Sequence, residues 1–304
     1  MNISFPELRN IAIIRRNGFG DVLCTMPLVH LCRSLAPQAK IHLFVDEMTA
    51  PLVPYLDGPD TVSVLEPSSN KYGQIIKTAW RHRKERFDLA ISGKTTPMRL
   101  MNLSLALLRA RKRAAYVGKS WDAHLINCPK PWVREEKHQA LKLLQLLDPI
   151  SHIPPAWFPR LKNVTAISRP DHILVSVSNN RAGSALSLER MAACIDVPVC
   201  ITALEKDRAQ AEKFAQMLTV SSELFIGRPF SEFLGLIKGV RGVFVGDGGI
   251  SHLAAALDKP QVVLFGGTKV WEWGPLSDKA RCLAHPHNVN EIPLSEITKA
   301  ITML

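Results

Sequence analysis

The sequence lacks any Cys-x-x-Cys pair: Cys24, Cys32, Cys128, Cys194, Cys200 and Cys282 are scattered along it. This argues against a zinc ribbon or a disulfide framework and for reduced thiols. No apolar run approaches the ~18 residues that a membrane-spanning helix needs, and the opening MNISFPELRN has no basic region followed by an apolar core. A cytoplasmic protein is expected, with peripheral membrane contact left open. Internal repeats, low-complexity tracts and recognisable nucleic-acid motifs are also missing. Acidic residues are in deficit, 27 Asp and Glu against 38 Lys and Arg, for a net charge of +11. Such an excess fits an anionic partner: a phosphorylated substrate, an anionic membrane face or nucleic acid. Charge alone does not choose among them.

What is present is an ordinary globular composition, 46% hydrophobic and 21% charged over 304 residues. That length accommodates two domains of about 150 residues. The first half alternates apolar β-branched runs with helical patterns. Ile11–Ile14, Ile41–Val45, Val62–Leu65 and Leu89–Ile91 read as strands; Ile75–Arg86, 97–113 and 133–148 read as helices. From Val22 the apolar positions predict a buried helix, with Pro27 as a kink or near its first turn. The segment Trp80–Arg86 is strongly basic, which suits a solvated face or one resting on anionic headgroups. A Pro-rich stretch, Ile153–Pro159, reads as a linker between domains 1–160 and 161–304. Beyond it Ile173–Ser178, Val199–Thr202, Val243–Val245 and Val262–Phe265 read as strands. Phe230–Ile237 is expected to complete that sheet, Glu205 to open a helix through Leu218, and Leu294–Leu304 to form an amphipathic helix.

Two strand-loop-helix junctions carry chemistry-bearing residues. In the first, Arg15-Arg16-Asn17-Gly18-Phe19-Gly20-Asp21 follows a strand. It is not a Gly-x-Gly-x-x-Gly dinucleotide loop, because Leu23 takes the third glycine position and Asp21 would repel a pyrophosphate. Asp21 reads as a helix cap or as a carboxylate poised as general base. In the second, Gly246-Asp247-Gly248-Gly249 leads into a helix bearing His252. Asp247 stands where an N-cap is expected, and the glycines leave the helix amides open to a phosphate. A tight turn with a cap explains the same tetrapeptide. Lys94 and Arg99 follow the strand at 89–91, where parallel sheets place ligands. The tail's His285-Pro286-His287 has no nearby third ligand and reads as a surface loop, so no metal site is assigned.

The stretch 243–275 resembles the nucleotide-sugar segment of the ADP-heptose:lipopolysaccharide heptosyltransferases, glycosyltransferase family nine. The matching elements are Asp247-Gly248-Gly249, His252, Ala254-Ala255-Ala256, Pro260, Phe265-Gly266 and Trp273-Gly274-Pro275. Residues 15–28 resemble the same family's N-terminal signature. The resemblance implies an α/β fold of GT-B type, two doubly wound Rossmann-like domains facing a cleft, whose last helix crosses back to the first domain. It implies an inverting, metal-independent transferase moving heptose from ADP-L-glycero-D-manno-heptose to the acidic inner core of lipopolysaccharide or lipooligosaccharide at the inner membrane's cytoplasmic face. Asp21 would be the base. Glu205 would bind the ribose, while Asp247, Gly248, Gly249 and His252 would surround the phosphates and sugar. Arg15, Arg16, Asn17, Lys94 and Arg99 would meet the acceptor. The family's donor-phosphate lysine and a nearby tryptophan are replaced by Ser184 and Leu186, and Arg181 is the cation three residues earlier. No cofactor is implied beyond the donor. The alternatives are a transferase for another nucleotide sugar and a non-catalytic, basic nucleic-acid-binding protein. The latter would bind with steep salt dependence and without need of Asp21.

Overall fold

The chain is described by a computed structural model covering residues 3–68, 70–178 and 183–304. It divides into two units, Met1–Pro159 and Arg160–Leu304, at the end of the Pro-rich stretch. The first unit's sheet is built from β1 (Asn10–Arg15), β2 (Lys40–Val45), β3 (Thr61–Val64), β4 (Leu89–Ser92), β5 (Lys112–Val117) and β6 (Cys128–Pro131). The second uses β7 (Arg169–Ser176), β8 (Val199–Ala203), β9 (Ser222–Ile226), β10 (Val240–Gly246), β11 (Gln261–Gly266) and β12 (Ala280–His285). Every pairing is parallel. The sequence explains this directly: Ile11 to Ile14 and Val262 to Phe265 are buried without alternation, as strands covered on both faces must be.

The strand orders are β3-β2-β1-β4-β5-β6 and β12-β11-β10-β7-β8-β9. Read from its own first strand, each is the doubly wound order. The winding reverses between β1 and β4 in one unit and between β7 and β10 in the other, and ligands bind at the strands' carboxyl ends beside such reversals.

The first unit's helices are α1 (Phe19–Leu23), α2 (Met26–Leu35), α3 (Lys71–His82), α4 (Arg99–Leu107) and α5 (Gln139–Leu144). The second unit's are α6 (Leu188–Ala193), α7 (Arg208–Met217), α8 (Phe230–Gly239), α9 (Gly249–Ala256), α10 (Val270–Trp273) and α11 (Leu294–Ile301). Pro27 sits in the first turn of α2, where its missing N–H costs nothing. The helix expected over 75–86 begins earlier, at Lys71, because the Asn70 side chain caps it by accepting from Gly73 N at 2.7 Å. It ends at His82, and Arg86 lies beyond it with φ 49°. The helix expected over 97–113 stops at Leu107; Arg109 takes a left-handed φ of 57°, and Lys112 and Arg113 open β5. The expected helix 133–148 shrinks to α5. Phe230–Ile237 is helical rather than extended: α8 buries Leu234, Gly235, Leu236 and Ile237, and β9 supplies the strand instead. Glu205 opens only a 3-10 turn, Glu205–Asp207, before α7. His285 closes β12 instead of lying in a surface loop.

Among the described residues, each unit has a core of its own. Ala12, Ile14, Phe44, Phe87, Met101 and Leu105 cluster in the first; Val175, Ile201, Phe214, Phe244 and Leu264 cluster in the second. The apolar face of α11 places Ile297, Ala300 and Ile301 in the second unit's own core. The helix α8 packs so closely that a Cβ on Gly239 would lie 1.8 Å from the Ile167 carbonyl oxygen. Gly239→Ala is therefore expected to cost at least about 2 kcal/mol in urea denaturation. An unchanged midpoint would contradict the packing.

A histidine pair lies deep in the first unit. His42 on β2 stacks on Phe44 at 4.2 Å between ring centroids. Its Nδ1 lies 2.9 Å from one oxygen of Glu85, whose other oxygen is 2.5 Å from His82 Nδ1. Among the described residues, these three form the group of ligand-type side chains close enough to share a metal ion. Burial pushes the His42 pKa below its ordinary 6.5, with the neighbouring His82 adding to the shift and Glu85 opposing it. A histidine with a lowered folded pKa leaves stability unchanged above the unfolded value. Stability is lost as pH falls from 6.5 through the folded value, because only the unfolded chain takes the proton there. Thermal melts should fall over that window, and His42→Asn should flatten the slope. Half-buried His30 shifts the same way and supplies the residual slope. An identical slope in the variant would sink the assignment.

Candidate functional site

The winding reversal of the first unit brings three of the predicted residues together. Arg15 ends β1, Asp21 lies in α1, and Lys94 follows β4. The Arg15 guanidinium pairs with Asp21 Oδ1, and Lys94 Nζ lies 4.0 Å from the same oxygen. Thr25 Oγ1 donates to the Asp21 carbonyl at 2.9 Å, tying the short helix to α2. Gly93 makes the close approach of β4 to β1 possible. Its N–H donates to the Ile14 carbonyl at 2.8 Å, and a Cβ there would sit 2.7 Å from that oxygen.

Arg15 is only 2% exposed and its Nε has no hydrogen-bond partner. A buried guanidinium is costly unless paired, so Asp21 is the group that makes its burial tolerable. Lys94 is pushed below the ordinary lysine range by burial first and by Arg15 second, with Asp21 opposing. The result is one carboxylate held between two cations, with 21% of its side chain open to solvent. That is the geometry of an oriented acid-base group beside an anion-seeking pair.

Arg16 and Asn17 turn elsewhere. Arg16 pairs with Asp46 at 2.9 Å and donates to Gln74 Oε1 at 2.5 Å. Asn17 has φ 91° and its backbone N–H donates to Asp46 Oδ2 at 2.8 Å. Asn17 thus shapes the loop, in a conformation that asparagine tolerates better than most residues. Asp46 was not foreseen, yet it stands one residue past β2, where the rule that flagged Lys94 applies equally. Arg99 joins none of these groups: it donates to Ser120 Oγ at 3.2 Å and lies 3.8 Å from Asp122, which Asn102 holds at 2.7 Å.

In the second unit, Asp247 and α9 occupy the reversal between β7 and β10. Asp247 is not the N-cap. Gly248 is, and no side-chain cap bond closes the helix. The Asp247 carboxylate, 3% exposed, instead accepts from Thr268 Oγ1 at 2.6 Å, and its backbone N–H donates to the Leu264 carbonyl at 2.8 Å. Thr268, just beyond β11, is a second residue missed in the sequence. The first-turn amides of α9, starting at Gly249, are therefore left without a side-chain cap at the positive end of the helix dipole. Among the described residues, a Cβ on Gly248 would meet only the Gly246 carbonyl oxygen, at 4.0 Å, so none of them blocks the approach to those amides. His252 is buried within α9.

Beside them a pocket is lined by Ser176, Val177, Ser184, Leu186, Phe244 and Gly246. Ser184 is turned inward, donating to the Gly266 carbonyl at 2.8 Å, and its hydroxyl brings no charge to the pocket. Arg181 lies outside the described residues. Glu205 is exposed and is gripped by the Arg208 fork at 2.7 and 3.0 Å, which lowers its pKa. A carboxylate has room for further donors beside such a fork.

Residues 189–300, which include α9 and the stretch through Trp273, match the sequence model of glycosyltransferase family 9 (heptosyltransferase). No curated protein sequence matches the chain. Among solved structures, a glycosyl transferase family 9 protein from Veillonella parvula is similar with a TM-score of 0.85 and 14% identity, over 99% of this chain and 98% of that one. ADP-heptose lps heptosyltransferase II of E. coli gives 0.78 and 17%, over 97% and 98%. E. coli heptosyltransferase WaaC, solved with ADP, gives 0.75 and 15%, over 97% and 99%. The chain has the GT-B fold of these glycosyltransferases, and residues 189–300 of its second unit are similar to glycosyltransferase family 9 (heptosyltransferase).

Proposed function

We propose that the protein is an inverting glycosyltransferase that moves heptose from ADP-L-glycero-D-manno-heptose to an acidic, lipid-linked saccharide of the lipopolysaccharide or lipooligosaccharide inner core. The observation that carries the reading is the Asp21 carboxylate held between Arg15 and Lys94 at the winding reversal of the first sheet. Asp21 takes the proton of an acceptor hydroxyl. The freed oxygen attacks the anomeric carbon from the face opposite the diphosphate, the bond to the diphosphate breaks, and the configuration inverts. Arg15 and Lys94 orient the base and meet the acceptor's negative charge, with Arg16, Asn17 and Arg99 as outer acceptor contacts.

The donor belongs to the second unit. The first-turn amides of α9 beyond Gly248 receive the diphosphate. Asp247 and His252 lie by the phosphate and sugar, Glu205 takes the ribose hydroxyls and Arg181 supplies the missing cation. Fixed donors of this kind stabilise a leaving diphosphate without reorganising, so the reading assigns no metal and no cofactor. Two features support heptose in particular: the family match over 189–300 and the similarity of the whole chain to two E. coli heptosyltransferases. The acceptor assignment also implies contact with the anionic inner-membrane face from a cytoplasmic position, and no helix among the described residues is long and apolar enough to cross a membrane.

The test is Asp21→Asn, which keeps an oxygen for Arg15 while removing the base. Transfer should drop by about 10²–10⁴-fold. Affinity for ADP, measured by calorimetry, should stay within about twofold, since a 1.4 kcal/mol change would already be tenfold. Equal loss of transfer and of ADP binding would remove Asp21 from the role of base.

A further inference from the structure

One face of α3 is left exposed among the described residues. The helix turns Ile75, Thr78, Ala79 and His82 into the first unit's interior, which accounts for its inner side. Tyr72, Ile76 and Trp80, spaced four residues apart, are 58%, 57% and 68% exposed. At 3.6 residues per turn the three fall within roughly a quarter-turn of one another, so they form a single stripe along the outside. Large side chains left singly in water are unremarkable, but three in line on one helix mark a surface that another phase covers.

The charges beside the stripe say which phase. Lys77 and Arg81 stand on the next sector of the helix, and Arg83, Lys84 and Arg86 follow its end. The Arg83 guanidinium lies 3.9 Å from the centroid of the Trp80 ring, so aromatic and cation form one unit. Lys77 reaches the Pro67 carbonyl, at 3.1 Å, and Arg81, although paired with Glu66, keeps 69% of its side chain exposed. Glu85, the acid within this basic run, is turned to His42 and His82. An apolar stripe containing tryptophan and tyrosine, bordered by lysine and arginine, is the pattern of a helix lying in the plane of an anionic bilayer surface. A second copy of the chain fits poorly, because an isologous contact would set these basic borders against each other.

We propose that α3 docks the protein on an anionic lipid bilayer, with Tyr72, Ile76 and Trp80 entering the headgroup layer and the basic border meeting lipid phosphates. The inference deepens, and for its setting rests on, the membrane-linked acceptor proposed above. Its test uses neither nucleotide nor saccharide, so each can fail alone.

The full chain would be floated with phosphatidylcholine vesicles and with vesicles of phosphatidylcholine and phosphatidylglycerol, at low and raised salt. Wild type should float with the anionic vesicles, and less so at raised salt. Ile76→Ser with Trp80→Ser should cut the bound fraction about tenfold, and separately Lys77→Glu with Lys84→Glu should cut the affinity at least about thirtyfold, as two lost juxtamembrane charges imply, both with unchanged thermal melts. Absence of wild-type flotation, or variants that float like wild type, would overturn the proposal. So would a stripe whose substitution changes only self-association in sedimentation or only RNA binding.

Discussion

The order in which parallel strands are added constrains everything else in this protein. In each sheet the winding runs outward from the first strand, then returns and runs the other way, leaving two adjacent strands whose following loops diverge to opposite faces. Arg15, Asp21 and Lys94 are gathered at that point in the first unit because β1 and β4 are neighbours there, 78 residues apart in sequence at Gly93 and Arg15 being irrelevant to their contact. Asp247 and the amino end of α9 sit at the equivalent point of the second unit because β10 lies between β7 and β11. The chemistry is therefore placed by topology, and the cores underneath make the placement rigid.

That placement brings buried charge with it. Arg15 is almost wholly removed from water, with one nitrogen unpaired, and Asp21 is its counter-ion. Removing one member of such a pair is expected to cost about 3–5 kcal/mol, whereas the intact pair contributes little net stability. An arrangement of that kind is better understood as positioning a carboxylate than as holding the sheet. Asp247 follows a related logic with a neutral partner: Thr268 donates to one of its oxygens, and the helix amides it does not cap remain for an anion.

The apolar centre of each sheet was legible in the sequence, since Ile11–Ile14, Ile41–Val45, Val243–Val245 and Val262–Phe265 are continuous buried runs bounded by charged or glycine-rich loops. The first unit's β5 and β6 were not. Lys112-Arg113 opens β5 as though ending the helix before it, and β6 contains Pro129 and Pro131, which only the edge of a sheet tolerates. The helix α8 reads as a strand because Phe233–Ile237 is an unbroken apolar run, and short apolar runs do not reveal their period. At the site, the residues on the two glycine loops could be picked out by type and position. Their partners could not: Asp46, Gln74 and Thr268 lie 30, 58 and 21 residues from the groups they hold, and no local pattern encodes such pairs.

The central claim is that the second unit is built to hold the nucleotide of an activated sugar. The most direct measurement is calorimetric titration of the full chain with ADP, UDP, GDP and CDP, repeated on Asp247→Ala. The account predicts selective binding of ADP, weakened by the substitution while the thermal melt shows the variant still folded. Preference for another nucleotide would keep glycosyl transfer and discard heptose as the donor sugar. Binding of none of the four by the folded wild-type protein would contradict the account.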